Sequence, residues 1–225
     1  MTRGRLIVVE GTDCSGKETQ TKLLYERLRA ENFPVASMSF PRYETSTGKI
    51  VGECYLGKSG KSWFESPTTL DPRIASLYYA ADRLAARDEI EKTLASGTNL
   101  VLNRYVESNM GHQGGKAKTP EEREQIVNFI RNLEYKLLGL PKPDQVVFLY
   151  MPYQVGMELK KGRAGIADAH EASEEHLRQA EQAYLWIARN FNWTKINCTT
   201  DGTFEGLRTR EEIAEEVHSV ALRVI

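Results

Sequence analysis

Apolar residues along the chain fall into five short runs separated by longer stretches with helical periodicity. Leu6–Glu10, Val35–Ser39, Asn99–Asn103, Gln145–Met151 and Thr194–Cys198 are brief and apolar enough to read as strands. Between them, apolar positions recur every three or four residues, which predicts helices over Lys17–Ala30, Pro72–Leu94, Glu121–Leu138, Tyr153–Lys160, Ser173–Asn190 and Thr209–Val224. Ile126, Phe129, Ile130, Leu133 and Leu137 share one such face, Leu177, Ala180, Tyr184, Ile187 and Phe191 a second, and Ile213, Val217, Val220 and Val224 a third. These stripes are assigned to core or subunit contact. Strands alternating with helices predict an α/β fold, a central five-stranded parallel sheet flanked by helices. With 225 residues and no repeat or low-complexity tract, residues 1–225 are expected to form one domain.

Composition narrows the function classes. Thirty basic against 31 acidic residues give a net charge of −1, so no global field favours nucleic acid. Cys14, Cys54 and Cys198 are widely spaced and odd in number, which fits a reducing compartment and no zinc site. The apolar run at Leu6–Val9 is too short for a signal peptide, and no segment reaches membrane-spanning length. The expectation is a soluble, cytoplasmic protein with no membrane or nucleic-acid partner.

Chemistry begins where the first strand ends. Gly11-Thr12-Asp13-Cys14-Ser15-Gly16-Lys17-Glu18-Thr19 follows the apolar run and precedes a helix whose face carries Leu23, Leu24 and Leu28. The two glycines let backbone N–H groups turn inward around phosphate oxygens, the helix N-terminus adds its dipole, and Lys17 adds a compact charge. The general motif places Ser or Thr directly after the lysine to hold Mg²⁺. Here the residue is Glu18.

In open parallel sheets, ligands bind beyond the carboxyl ends of the strands. The second strand ends in Phe40-Pro41-Arg42-Tyr43 and the third in Asn103-Arg104-Tyr105, so two arginines are expected at the rim of the phosphate loop. Tyr79 and Arg83 stand four apart on one helical face, a ring and a guanidinium suited to a nucleobase, or else a half-buried tyrosine beside a snorkelling arginine. Asn109–Lys116 is glycine-rich and reads as a polar loop in which Gln113 offers an amide. The stretch 57–67 reads as a second loop. Lys160-Lys161-Gly162-Arg163 opens a third segment, about 160–172, that has the composition of a lid. Its cations suit charge neutralisation in phosphoryl transfer, or simply complement a helix dipole.

Taken in order, these residues resemble the thymidylate kinase family over essentially residues 4–220. The shared series is Gly11-x-Asp13-x-x-Gly16-Lys17, Phe40-Pro41, Tyr79-x-x-x-Arg83, Arg104-Tyr105, Gln113-Gly114 and the basic lid. The resemblance implies a P-loop NTP-hydrolase-like three-layer fold, a homodimer, and Mg·ATP-dependent phosphorylation of dTMP to dTDP. It implies that Gly11, Cys14, Ser15, Gly16, Lys17, Glu18 and Thr19 form the ATP site, with Lys17, Asp13, Arg104 and Arg163 in catalysis. It also implies Asp13 near the acceptor's 3′-hydroxyl, Phe40 in the acceptor site, Tyr79 stacked on thymine, and Arg83 and Gln113 addressing the base. Arg104 would sit near the phosphates and Tyr105 beside the sugar.

Four positions depart from the family pattern. Glu18 replaces the metal-binding hydroxyl, and Asn103 replaces the aspartate of Asp-Arg-Tyr. Arg42 falls one residue early for a phosphate contact, and Tyr79 stands where phenylalanine is common. The first two suggest an exchange in which the carboxylate for Mg²⁺ has moved from the third strand end to Glu18. A kinase of another nucleoside or nucleotide, and a non-catalytic nucleotide-binding relative, remain the competing readings.

Overall fold

The computed structural model describes residues 2–60, 62–64, 67–161 and 174–225. Five strands, β1 (Leu6–Gly11), β2 (Val35–Ser39), β3 (Asn99–Asn103), β4 (Gln145–Tyr150) and β5 (Thr194–Asn197), form one parallel sheet in the order β2-β3-β1-β4-β5. The expected lid, with Arg163, lies outside the described residues apart from Lys160 and Lys161.

Period-two alternation in the sheet explains the layers. Leu6 and Val8 of β1 face one way, with Leu100, Leu102, Val146 and Phe148 of β3 and β4. Over them pack α3 (Pro72–Ala95), α4 (Val106–Gly114), α5 (Pro120–Arg131) and α7 (Glu174–Asn190). Ile7 and Val9 face the other way, with Val101, Val147, Leu149 and Ile196, against α1 (Lys17–Ala30) and α8 (Arg210–Ala221). The starts of α3, α5 and α8 carry side-chain caps from Asp71, Thr119 and Thr209, and α3 and α5 add a proline in the first turn. The remaining helices are α2 (Ser46–Lys49), which runs into a π turn at Ile50–Tyr55, and α6 (Tyr153–Lys161). A small third cluster, Val51, Tyr55, Leu56 and Ala75, holds the π turn against the start of α3.

Two elements differ from the sequence expectation. Asn109–Lys116 is not a loop: residues to Gly114 complete α4. Its glycines serve close packing, since a Cβ on Gly111 would come within 2.3 Å of the Tyr184 ring and one on Gly115 within 2.9 Å of the Ala180 backbone. The expected helix Glu121–Leu138 is α5 followed by a π turn at Asn132–Leu137. Glu134, one turn beyond Ile130, is fully buried on the same face, and the wider turn then changes the helical phase, so that Leu137, expected in the apolar stripe, is 79% exposed.

Candidate active site

The strand ends converge on a cleft of about 1100 Å³ that reaches from the phosphate loop to the buried face of α4. At its mouth, Thr12 fastens the loop to the end of β4: its hydroxyl donates to the Met151 carbonyl (2.7 Å) and accepts from the Met151 N–H. Gly11 has no room for a side chain, since a Cβ would lie 2.3 Å from Ser15 Oγ. Gly16 adopts φ +78° as it opens α1, a conformation glycine takes without strain, whereas Cys14 holds φ +59° as a non-glycine residue. Ser15 is buried with its hydroxyl unpartnered among the described residues, and Glu18 and Thr19 are exposed on the first turn of α1.

Lys17 is buried, and its Nζ donates to the Thr12 carbonyl of its own loop (3.0 Å). Burial, reinforced by the nearby Arg104 charge, pushes its pKa down to about 8. Asp13 Oδ1 sits between two cations, 3.9 Å from Lys17 Nζ and 3.8 Å from Arg104 Nη2. Arg104 is held at φ +64°. Burial is the largest single influence and works against its charge, but Glu10, with smaller contributions from Tyr184, Asp13 and Tyr43, raises the guanidinium pKa.

Glu10 is a functional group that the sequence reading missed. It is fully buried and accepts from the Gly11 N–H (3.1 Å), Ser108 Oγ (2.6 Å) and the Tyr184 hydroxyl (3.3 Å). A lone carboxylate closing an apolar strand was the available signal. His112 was also missed: its Nε2 lies 3.4 Å from Arg104 Nη1, and its ring stacks on His176. Asp13 and His112 also line a second, much narrower cavity, together with Cys14 and Lys160.

Deeper in the cleft, Phe40, Tyr79, Arg83 and Gln113 come together as expected. Arg83 does not snorkel. It is buried and grips Glu134 with two nitrogens, Nη2 to Oε1 at 2.7 Å, while Asn109 donates to the same carboxylate (2.9 Å). Gln113 is fully buried, and neither its oxygen nor its nitrogen has a partner among the described residues.

Two expected site residues stand elsewhere. Arg42 does not line the cleft: its guanidinium lies 3.7 Å from Asp82 and 3.5 Å from Glu89, and its N–H donates to Asp82 (2.8 Å). Two carboxylates on α3 therefore claim the charge expected for a phosphate. Tyr105 is fully buried in the core between Phe40 and Tyr135, with ring centroids 5.9 and 6.5 Å away. The left-handed backbone at Arg104 directs that side chain to the cleft and leaves Tyr105 to open α4 from inside.

The sequence profile of the family described as thymidylate kinase matches residues 9–207. The human thymidylate kinase is 30% identical over 219 residues, 94% of this chain and 92% of that protein. The thymidylate kinase of Mycobacterium tuberculosis is 31% identical over 179 residues, 78% of this chain and 79% of that one. Among solved structures, a thymidylate kinase from Candida albicans superposes with a TM-score of 0.70 at 23% identity, covering 98% of this chain and 92% of that one.

Proposed function

The chain belongs to the thymidylate kinase family, and we propose that it transfers the γ-phosphoryl group of ATP to dTMP, giving dTDP. One observation carries the reading: a cleft that starts at a phosphate loop ends at the orphaned Gln113 amide. An amide offers one acceptor and two donors, which complements the N3–H and carbonyls of thymine. Tyr79 supplies a ring face beside it, and Arg83 keeps Nη1 outside its grip on Glu134.

Transfer is in line and relies on positioning and electrostatics. Lys17 and the loop N–H groups hold the triphosphate, Arg104 offsets charge between the two substrates, and Asp13 meets the acceptor's sugar while keeping both cations in register. Lys160 and Lys161 bring further charge from the side of the second cavity, and Arg163 is assigned the same role from the lid.

The donor set fits Mg²⁺. Asp13 and Glu18 line the cleft, and Asn103 Oδ1 in the same cleft is buried without a partner among the described residues. Among the described residues no three His, Cys, Asp or Glu side chains form a metal cage, so phosphate oxygens and water would complete the shell. When bound, the ion screens the phosphate charge. Glu18→Gln should weaken Mg²⁺ binding to the nucleotide complex by about tenfold; unchanged metal affinity and turnover would refute the assignment.

We read the assembly as a cytoplasmic homodimer. Ile74, Leu77 and Leu84 form an exposed apolar stripe on α3 that suits a second copy, and none of Cys14, Cys54 and Cys198 is in a disulfide. Light scattering on Leu77→Glu, Leu84→Glu should report monomers against a dimeric parent, and a monomeric parent refutes the dimer. The activity itself is tested with ATP and a panel of dTMP, dUMP, dCMP, dGMP and thymidine. Preference for dTMP is expected, and its absence overturns the reading.

A further inference from the structure

The acceptor's phosphate carries close to two negative charges at neutral pH, yet most cations near the cleft are already engaged. Arg83 is matched by Glu134 in a two-point grip. Arg104 stands 3.8 Å from Asp13 and feels the buried Glu10. Arg42 lies between Asp82 and Glu89, off the cleft wall.

Lys58 is different. It lines the cleft, is exposed, and has no carboxylate partner among the described residues. Its ammonium rests 4.0 Å from the centroid of the Tyr43 ring, and Tyr43 lines the cleft beside it. The arrangement is built from one element. Gly52, in the π turn Ile50–Tyr55, accepts the Lys58 N–H through its carbonyl (2.9 Å). The same glycine supports the ring from below, since a Cβ there would come within 2.8 Å of Tyr43 Cδ1. One turn thus fixes both the lysine backbone and the ring on which the ammonium lies.

We infer that Lys58 binds the phosphate of the monophosphate acceptor, the task expected of Arg42. The physical case rests on what holds the ammonium at present. An exposed cation–π contact is weak, whereas a charge-assisted hydrogen bond to a phosphate oxygen is among the stronger polar contacts. Lysine is a compact charge on a four-carbon stem, so it moves from ring to phosphate without backbone rearrangement. The ring keeps the charge inside the cleft until the acceptor arrives. A nucleoside lacks the group that draws the ammonium away, so the contact discriminates monophosphate from nucleoside.

The inference rests on the dTMP kinase reading, and equilibrium titrations separate the two. Lys58→Gln should bind dTMP about tenfold more weakly than the parent while binding thymidine equally well. Lys58→Arg, which keeps the charge, should stay close to the parent. Equal losses for dTMP and thymidine would make Lys58 a structural residue and overturn the inference. So would a Lys58→Gln protein that binds dTMP as the parent does, in which case the kinase reading stands. A parent that neither binds nor phosphorylates dTMP overturns both.

Discussion

Lys17 carries a charge that its surroundings oppose, and nucleotide binding should show it. Its pKa stands at about 8, against 10.5 for an ordinary lysine, because burial and then Arg104 disfavour the ammonium. A depressed lysine is charged below its pKa and neutral above it, so the form that attracts triphosphate is lost as pH rises through 8. The charged fraction is about nine-tenths at pH 7 and about one-tenth at pH 9. If the triphosphate binds only the charged form, apparent affinity falls by roughly tenfold over that range, about 1.4 kcal/mol. An ordinary lysine would remain almost fully charged throughout. The assay is equilibrium titration of a non-hydrolysable ATP analogue at pH 7, 8 and 9. Lys17→Ala should bind more weakly at every pH and show no slope. A parent with constant affinity from pH 7 to 9 would refute the argument that burial has weakened this charge.

Two further predictions concern buried carboxylates. Desolvation lifts Glu107 to about 7, although the Tyr135 hydroxyl that donates to it pulls the other way. The folded state therefore holds a proton that the unfolded state gives up near 4.5, so stability falls as pH rises from about 4.5 to 7. Glu107→Gln removes the effect: relative to the parent it should gain about 3 kcal/mol between pH 4.5 and pH 8 in urea unfolding, and a pH-independent difference would count against it. Glu134→Gln leaves Arg83 buried without a counter-charge and should cost about 3 kcal/mol, lowering Tm by roughly 6–12 °C. Calorimetry showing a parent-like Tm would mean that the ion pair adds no net stability.

The five strands and most helices were legible because alternation and three-to-four spacing both arise from burial on one face. The phosphate loop was legible because few other uses require glycines and a lysine at that spacing. What escaped depends on contacts between distant segments. The glycines of α4 look like loop formers until Tyr184 and the Ala180 backbone are seen pressed against them. Arg42 has the right place in the chain for the cleft, but Asp82 and Glu89, forty and more residues later, take its charge. Tyr105 comes after an arginine whose left-handed backbone sends the two side chains apart. Lys58 sits in a stretch with no periodicity, and only the fold brings it to Tyr43.

The π turn at Asn132–Leu137 makes chain length a structural variable. Ile126, Ile130 and Glu134 stand four apart on one face, so ordinary winding brings Glu134 in to Arg83, and the surplus residue in the turn instead carries Leu137 out to solvent. Six residues there cover about the arc that five would cover in ordinary winding. Loss of one residue after Glu134 therefore restores ordinary winding and leaves the chain beyond the turn in phase, with Glu134 still facing Arg83. The same loss inside the regular turns of α5 would rotate everything downstream by about 100°. A deletion scan scored for folded protein should find the exposed Lys136 and Leu137 dispensable one at a time and residues within α5 indispensable.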